Sequence, residues 1–260
     1  MGHTPRKRFG QHFLHDKNII QRIVDFVAPA PNEHIVEIGP GQGALTIPFL
    51  RILGELEVIE IDRDLIPALK RRAEDKGHLI VYEADALTFD FMPLIEKKGA
   101  MRLIGNLPYN ISTPLIFHVL AYAEHIRDMH FMLQKEVVHR IAALPSTKEY
   151  GRLSIMVQYH CKAEALCDVS PDAFYPPPEV ESSIVRLVPY HGIAPRALNY
   201  LHFANIVKTA FSHRRKTLRN SLKELINDVD WQKIPIDSHL RPEQIGVKDY
   251  VEISNQTVSH

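Results

Sequence analysis

Three glycines at alternate positions, Gly39, Gly41 and Gly43, close the run His34-Ile-Val-Glu-Ile-Gly-Pro-Gly-Gln-Gly43, where an apolar segment gives way to a helical pattern. Residues without a Cβ let backbone approach a ligand closely, so this turn is a candidate ligand cradle. The dinucleotide fingerprint G-x-G-x-x-G sets its third glycine one place later, a departure that disfavours a nicotinamide or flavin cofactor. Glu60 ends the next apolar run, about 20 residues on, the distance at which an acid grips ribose hydroxyls. Asp85 follows the third run, where a carboxylate can accept from an adenine amino group. Either carboxylate alone reads equally well as a solvated loop residue. Their shared sheet edge points to a nucleoside ligand, and S-adenosylmethionine, whose methionine portion needs no phosphate cradle, suits the set.

The fourth apolar run ends in Gly105-Asn-Leu-Pro-Tyr-Asn110. An adenine N6 is a poor nucleophile because its lone pair is delocalised into the ring. Two acceptors facing its hydrogens hold it out of plane, and the Asn106 side-chain oxygen and the Leu107 carbonyl suit those roles. Pro108 fixes the turn and removes a competing donor. Tyr109 offers a flat face for an extruded base. As an isolated tetrapeptide the same residues read as an ordinary Asn-x-Pro turn with a packed tyrosine.

Positioning these loops requires strands, and short Ile, Val and Leu-rich runs recur at Ile35–Ile38, Leu56–Ile61, Leu79–Tyr82, Arg102–Ile104 and Met129–Leu133. Helical patterns lie between them near Ala44–Ile52, Asp64–Lys76, Pro114–Ala123 and Lys135–Ala143, giving the alternation of a doubly wound parallel sheet. Thr113 before Pro114 reads as a helix cap. Ala165–Val169 and Ser183–Val188, joined by a segment too short for a crossover helix, predict a hairpin at the sheet edge. Gly192 and Pro195 break the pattern and everything beyond reads as helical, which predicts an α/β domain over 1–191 that carries these loops and a small all-helical domain over 192–260, the latter assigned to RNA recognition by the resemblance described below. Phe203, Ile206, Val207, Ala210 and Phe211 form one apolar stripe there, and Leu218, Leu222, Leu225 and Ile226 a second.

Thirty-one basic residues balance 31 acidic ones among 260, which argues against a protein that coats nucleic acid through net charge. The distribution is uneven: Phe203 to Lys223 holds Lys208, Arg214, Arg215, Lys216, Arg219 and Lys223 and no acid. Cys161 and Cys167 fit neither a disulfide framework nor a zinc site, so a reducing cytoplasm is the expected compartment. His12 and His15 have helical metal spacing without further partners, and the site reads as metal-free. No stretch approaches a membrane span, and no leader pattern follows the basic N-terminus.

Arg6-Lys-Arg-Phe-Gly-Gln-His-Phe-Leu14, the glycine loop, Asn106–Thr113, Phe131-Met-Leu-Gln-Lys-Glu-Val137, Tyr150-Gly-Arg-Leu-Ser154, Phe174-Tyr-Pro-Pro-Pro178 and Arg214-Arg-Lys-Thr-Leu-Arg-Asn-Ser-Leu222 together carry a resemblance over almost the whole chain. The sequence resembles the ribosomal RNA adenine N6-dimethyltransferase family, in particular its bacterial small-subunit branch. The resemblance implies a Rossmann-like S-adenosylmethionine methyltransferase sheet, a cofactor site of His12, Leu14, Gly39, Glu60, Asp85 and Asn106, and a base pocket of Leu107, Tyr109 and Phe174. The family usually has Asn where this chain has His12. The implied reaction dimethylates two adjacent adenosines in the 3′-terminal hairpin loop of 16S ribosomal RNA, by a monomer acting on the immature small subunit. The competing expectations are an erythromycin-resistance type enzyme acting on large-subunit RNA and a ribosome-assembly factor without catalysis. Arg214–Leu222 and Phe174–Pro178 favour the small-subunit branch, and the full set of Gly39, Glu60, Asp85, Asn106 and Tyr109 favours catalysis.

Overall fold

A computed structural model describes residues 11–192, 196–213 and 215–258, so Arg6–Gly10 of the N-terminal motif and Arg214 lie outside the described residues. The chain divides into two compact units, Met1–Val138 with Glu164–Pro189, and His139–Ala163 with Tyr190–His260.

The first unit is built on strands β1 (Phe13–Leu14), β2 (Ile35–Ile38), β3 (Glu55–Glu60), β4 (His78–Glu83), β5 (Met101–Asn106), β6 (Ile126–Gln134), β7 (Cys161–Val169), β8 (Phe174–Tyr175) and β9 (Ser182–Pro189). The main sheet runs β4-β3-β2-β5-β6-β9-β7, and the two-residue β1 and β8 pair separately. Pairs β2–β3, β3–β4, β2–β5 and β5–β6 are parallel, while β9 lies antiparallel to β6. The expected edge hairpin is present as neighbouring β9 and β7, with β8 in their connection.

Strands β2, β3, β5 and β6 are buried along most of their length and therefore read as mainly apolar runs, while the edge strand β4 is only half-buried. Helices α1 (Lys17–Val27), α2 (Thr46–Leu53), α3 (Ile66–Ala73), α4 (Met92–Lys98), α5 (Ser112–Leu120) and α6 (Lys135–Ala142) alternate with them. Asp16 starts α1 by accepting from the Asn18 and Ile19 amides at 2.7 and 3.2 Å. Thr113 is not the cap of α5. The turn closes earlier, with the Ile111 amide donating to the Pro108 carbonyl at 3.1 Å, and α5 begins at Ser112, whose hydroxyl donates to the Tyr109 carbonyl at 3.1 Å. Strands β2 and β5 approach so closely that a Cβ on Gly105 would stand 2.5 Å from the Ile38 carbonyl oxygen. At the other end of β5, buried Arg102 donates to Asp128 at 2.8 and 2.9 Å, to Glu33 at 2.8 Å and to the Val27 carbonyl at 2.6 Å.

The second unit holds α7 (Arg152–Gln158), α8 (Tyr200–Ser212), α9 (Leu218–Ser221), α10 (Asp228–Trp231) and α11 (Val247–Thr257). The division at Pro189/Tyr190 lies beside the expected boundary, but His139–Ala163 also joins this unit because α7 packs on α8. The α8 stripe Phe203, Ile206, Val207 and Ala210 is fully buried, and Asn199 caps the helix through the His202 amide at 3.0 Å. The second stripe is not one helix: α9 ends after one turn, and Leu218 and Arg219 donate their amides to the Leu240 and Ser238 carbonyls. No helix among the described residues is long and apolar enough to cross a membrane.

Candidate active site

In a doubly wound sheet, ligands meet the carboxyl ends of the strands, and here β2, β3, β4 and β5 deliver the glycine loop, Glu60, Asp85 and Asn106 to that edge. The loop leaves β2 with the Gly39 amide donating to the Ile59 carbonyl at 2.9 Å and closes with the Gly43 amide on the Pro40 carbonyl at 2.8 Å. Gly41 has φ 54°, and a Cβ there would meet the Phe13 ring at 3.2 Å. Gly43 has φ 84°, and its Cβ would meet Leu69 at 2.7 Å, so this glycine serves packing rather than ligand approach.

Glu60 ends β3 and is 5% exposed. Its Oε2 accepts from the Gly41 amide at 3.0 Å and its Oε1 from the Asp62 amide at 2.8 Å. An ionised carboxylate has about four lone-pair sites, so both oxygens keep capacity for ligand hydroxyls. Burial pushes its pKa up, against the pull of those backbone donors. Asp85 folds its own turn, with Oδ1 accepting from the Leu87 amide at 2.9 Å.

Asn106 ends β5, and its Nδ2 donates to the His12 carbonyl at 3.0 Å. A carbonyl only accepts, so this contact fixes the amide and presents Oδ1 as an acceptor. Leu107 is buried, with its amide on the Met132 carbonyl at 3.1 Å, which ties the loop to β6. The Tyr109 hydroxyl lies 2.7 Å from Ser182 Oγ, and burial of this side chain raises its pKa, so the phenol is neutral. The His12 ring stacks on Tyr109 with centroids 5.7 Å apart and planes 24° apart. His12 Nδ1 lies 2.8 Å from the Pro176 carbonyl, which assigns the ring proton to Nδ1.

One cavity is lined by His12, Leu14, Gly39, Gly41, Glu60, Asp85, Asn106, Leu107, Pro108 and Tyr109, so the sequence-predicted residues around the strand ends come together. Phe174 does not join them. It is 2% exposed and belongs to the apolar core with Leu14, because the alternation of β8 turns its side chain inward and leaves Tyr175 outside. Arg215, Lys216 and Arg219 lie in the second unit and are exposed, and Arg219 donates to Asp228 at 2.8 Å.

Three lining or supporting residues escaped the sequence. Glu37, in the middle of apolar β2, is 1% exposed and accepts from Thr46 Oγ1 at 2.7 Å. Burial, reinforced by nearby Glu60, pushes its pKa up to about 8. Gln11 Nε2 donates to buried Asp62 at 2.8 Å, fastening the N-terminal segment to the loop after β3. The available signal for Glu37 was a carboxylate inside a four-residue apolar strand, two places before the first glycine.

Comparison with known proteins places these features in a family. The ribosomal RNA adenine dimethylase family model matches residues 2–257. Proteins named ribosomal RNA small subunit methyltransferase A are similar: that of Alcanivorax borkumensis is 52% identical over 253 residues, covering 97% of this chain and 90% of the relative. That of Nitrosococcus oceani is 50% identical over 254 residues, covering 98% and 96%. Among solved structures, a dimethyladenosine transferase from Plasmodium falciparum superposes with a TM-score of 0.78 at 28% identity, covering 93% of this chain and 96% of the other. The chain belongs to the ribosomal RNA adenine dimethylase family.

Proposed function

We propose that the protein transfers methyl groups from S-adenosylmethionine to N6 of two adjacent adenosines in the 3′-terminal hairpin loop of 16S ribosomal RNA, on the maturing small subunit. The observation that carries this reading is the fixed amide of Asn106 at the mouth of a cavity that also holds Glu60, Asp85 and Tyr109. The curated relatives at about 50% identity act, by name, on the small subunit, which favours it over the large subunit. The intact set of anchored polar side chains favours catalysis over a purely architectural role.

The residues fit the cofactor. Gly39 and Gly41 admit its close approach, Glu60 retains acceptor capacity for ribose hydroxyls, and Asp85 has a second oxygen for an adenine amino group. When bound, S-adenosylmethionine supplies an electrophilic methyl group. The chain's own part is positioning, and well-oriented reactants gain about 7–11 kcal/mol over free encounter. Asn106 Oδ1 and the Leu107 carbonyl hold the amino hydrogens of the target adenine, directing its lone pair out of the ring plane. The target base stacks on the Tyr109 face away from His12, and the Ser182 contact keeps that ring from turning. The N6 proton becomes acidic only as the new bond forms, so no strong base is needed. Arg215, Lys216 and Arg219 of the second unit, with Arg214, contact RNA phosphates.

The test is to incubate the protein with labelled S-adenosylmethionine and either small subunits from a strain lacking the modification or large subunits, then map the label. Label on two adjacent adenosines of the small-subunit 3′ hairpin is expected. Label confined to large-subunit RNA, or cofactor binding without any transfer, overturns the reading.

A further inference from the structure

Tyr175 is 66% exposed, an unusual place for a large aromatic side chain within the short pairing that closes the cavity rim. In an antiparallel pair, directly opposed residues project to the same face. Phe13 opposes Tyr175, and Leu14 opposes Phe174. Leu14 and Phe174 belong to the apolar core. The other face carries Phe13, whose ring lies over Gly41 of the cofactor loop, and beside it Tyr175.

The backbone under Tyr175 is held on both sides. The strand pairing fixes it to β1, and the next carbonyl, that of Pro176, accepts from the same His12 ring that stacks on Tyr109. Pro177 and Pro178 follow and restrict the chain further. Tyr109 and Tyr175 are therefore connected through one imidazole and one carbonyl, the first half-buried in the cavity and the second displayed to solvent.

We propose that Tyr175 is a positioning residue for RNA, a stacking platform for the nucleobase next to the target adenine. The inference rests on the function proposed above, because a strand carrying two adjacent target bases must leave one outside the cavity while the other is inside. Extruded bases lose their stacking partners, and an aromatic ring replaces such a partner without reading sequence. Among the described residues neither the apolar core nor a hydrogen bond accounts for an exposed ring at this position, whereas the adjacent Phe174 is accounted for by the core.

The test uses the full chain, labelled S-adenosylmethionine and unmodified small subunits, with KM and kcat measured for the subunit and cofactor affinity measured by calorimetry. Tyr175→Ala is expected to raise the subunit KM by about five- to a hundredfold, the range for losing one base–aromatic stack, with a much smaller change in kcat. Tyr175→Phe is expected to restore the parent KM, and Tyr175→Leu to behave like Tyr175→Ala. Cofactor affinity is expected to stay at the parent value in all three, because the β1–β8 pairing runs through backbone. An unchanged KM in Tyr175→Ala, full restoration by Leu, or a parallel loss of cofactor affinity overturns the inference. Failure of the parent protein to methylate small subunits instead overturns the function on which the inference rests, and it is read before any variant is made.

Discussion

The cavity of the first unit and the basic turn of the second treat charge and polarity in opposite ways. Around the cavity each polar side chain is tied by a second bond: Glu60 to two backbone amides, Asn106 to the His12 carbonyl, Tyr109 to Ser182. In the second unit Arg215 and Lys216 stand exposed between α8 and the single turn of α9, and Arg219 holds an exposed ion pair with Asp228. Group transfer depends on fixed geometry, because a misplaced acceptor loses most of its effect. Phosphate contact depends on charge and tolerates imprecise placement.

The strongest challenge to this contrast is Asn106→Ala. Removing a preorganised partner of a developing charge costs about a hundred- to a thousandfold in turnover, so single-turnover methylation at saturating substrates should fall by that order while subunit affinity changes little. A loss confined to subunit affinity would mean that Asn106 binds rather than positions. Glu37→Gln measures what it costs to keep an acid in the dry part of the site. Its folded-state pKa of about 8 exceeds the ordinary 4.5, so the folded protein holds the proton longer, and stability present at acid pH is lost as pH rises from about 4.5 to 8. The glutamine variant should match the parent near pH 4.5 and exceed it by about 3 kcal/mol at pH 7 in chemical denaturation of the cofactor-free protein.

On the proposed reading Glu60→Ala removes charge-assisted bonds to the cofactor, so its binding should weaken by about 1.5–3 kcal/mol in calorimetry. Unchanged affinity in a folded variant would reduce Glu60 to a brace for Gly41 and Asp62. Tyr109→Ala should lower methylation efficiency by about five- to a hundredfold, and Tyr109→Phe, which keeps the ring, should retain most activity. If both variants are equally inactive while binding both substrates, the phenol takes part in the chemistry. The smallest effect belongs to the second unit. Replacing Arg215 and Lys216 by Ala should flatten the salt dependence of subunit binding by up to about 0.7–0.9 logarithmic units per lost contact and leave cofactor affinity alone. A parent-like slope would place the RNA elsewhere.

The parallel strands were legible because burial favours mainly apolar runs, broken only singly by residues such as Glu37 and Glu57, and the glycine loop because only glycine suits its left-handed turns. The cavity residues followed from them, since Glu60, Asp85 and Asn106 occupy strand ends. Elements of one or two turns were not legible: α4 buries only Leu94 and Ile95, too few to establish a helical period. The same limit hid the end of α9 after a single turn, whose first amides, those of Leu218 and Arg219, are met by the Leu240 and Ser238 carbonyls. Phe174 was the pocket residue implied by the resemblance, but a two-residue strand has no periodicity to show its direction, and only the pairing with Phe13 and Leu14 decides that its ring is the buried one. Arg219 looked free of acids because its partner, Asp228, lies beyond the acid-free stretch.

The pairing of Phe13 with Tyr175 also sets an order of events during synthesis. A chain leaves the ribosome N-terminus first, so the sheet strands through β6 emerge before the segment that completes the cavity rim. Until residues 174 and 175 arrive, β1 has no strand partner and His12 lacks the Pro176 carbonyl. Closing so long a loop carries an entropic cost that local helices do not bear, which makes rim assembly a late step. Every residue that lines the cavity lies before β6, so a nascent chain carries the whole lining before it carries the partners that hold β1 and His12 in place.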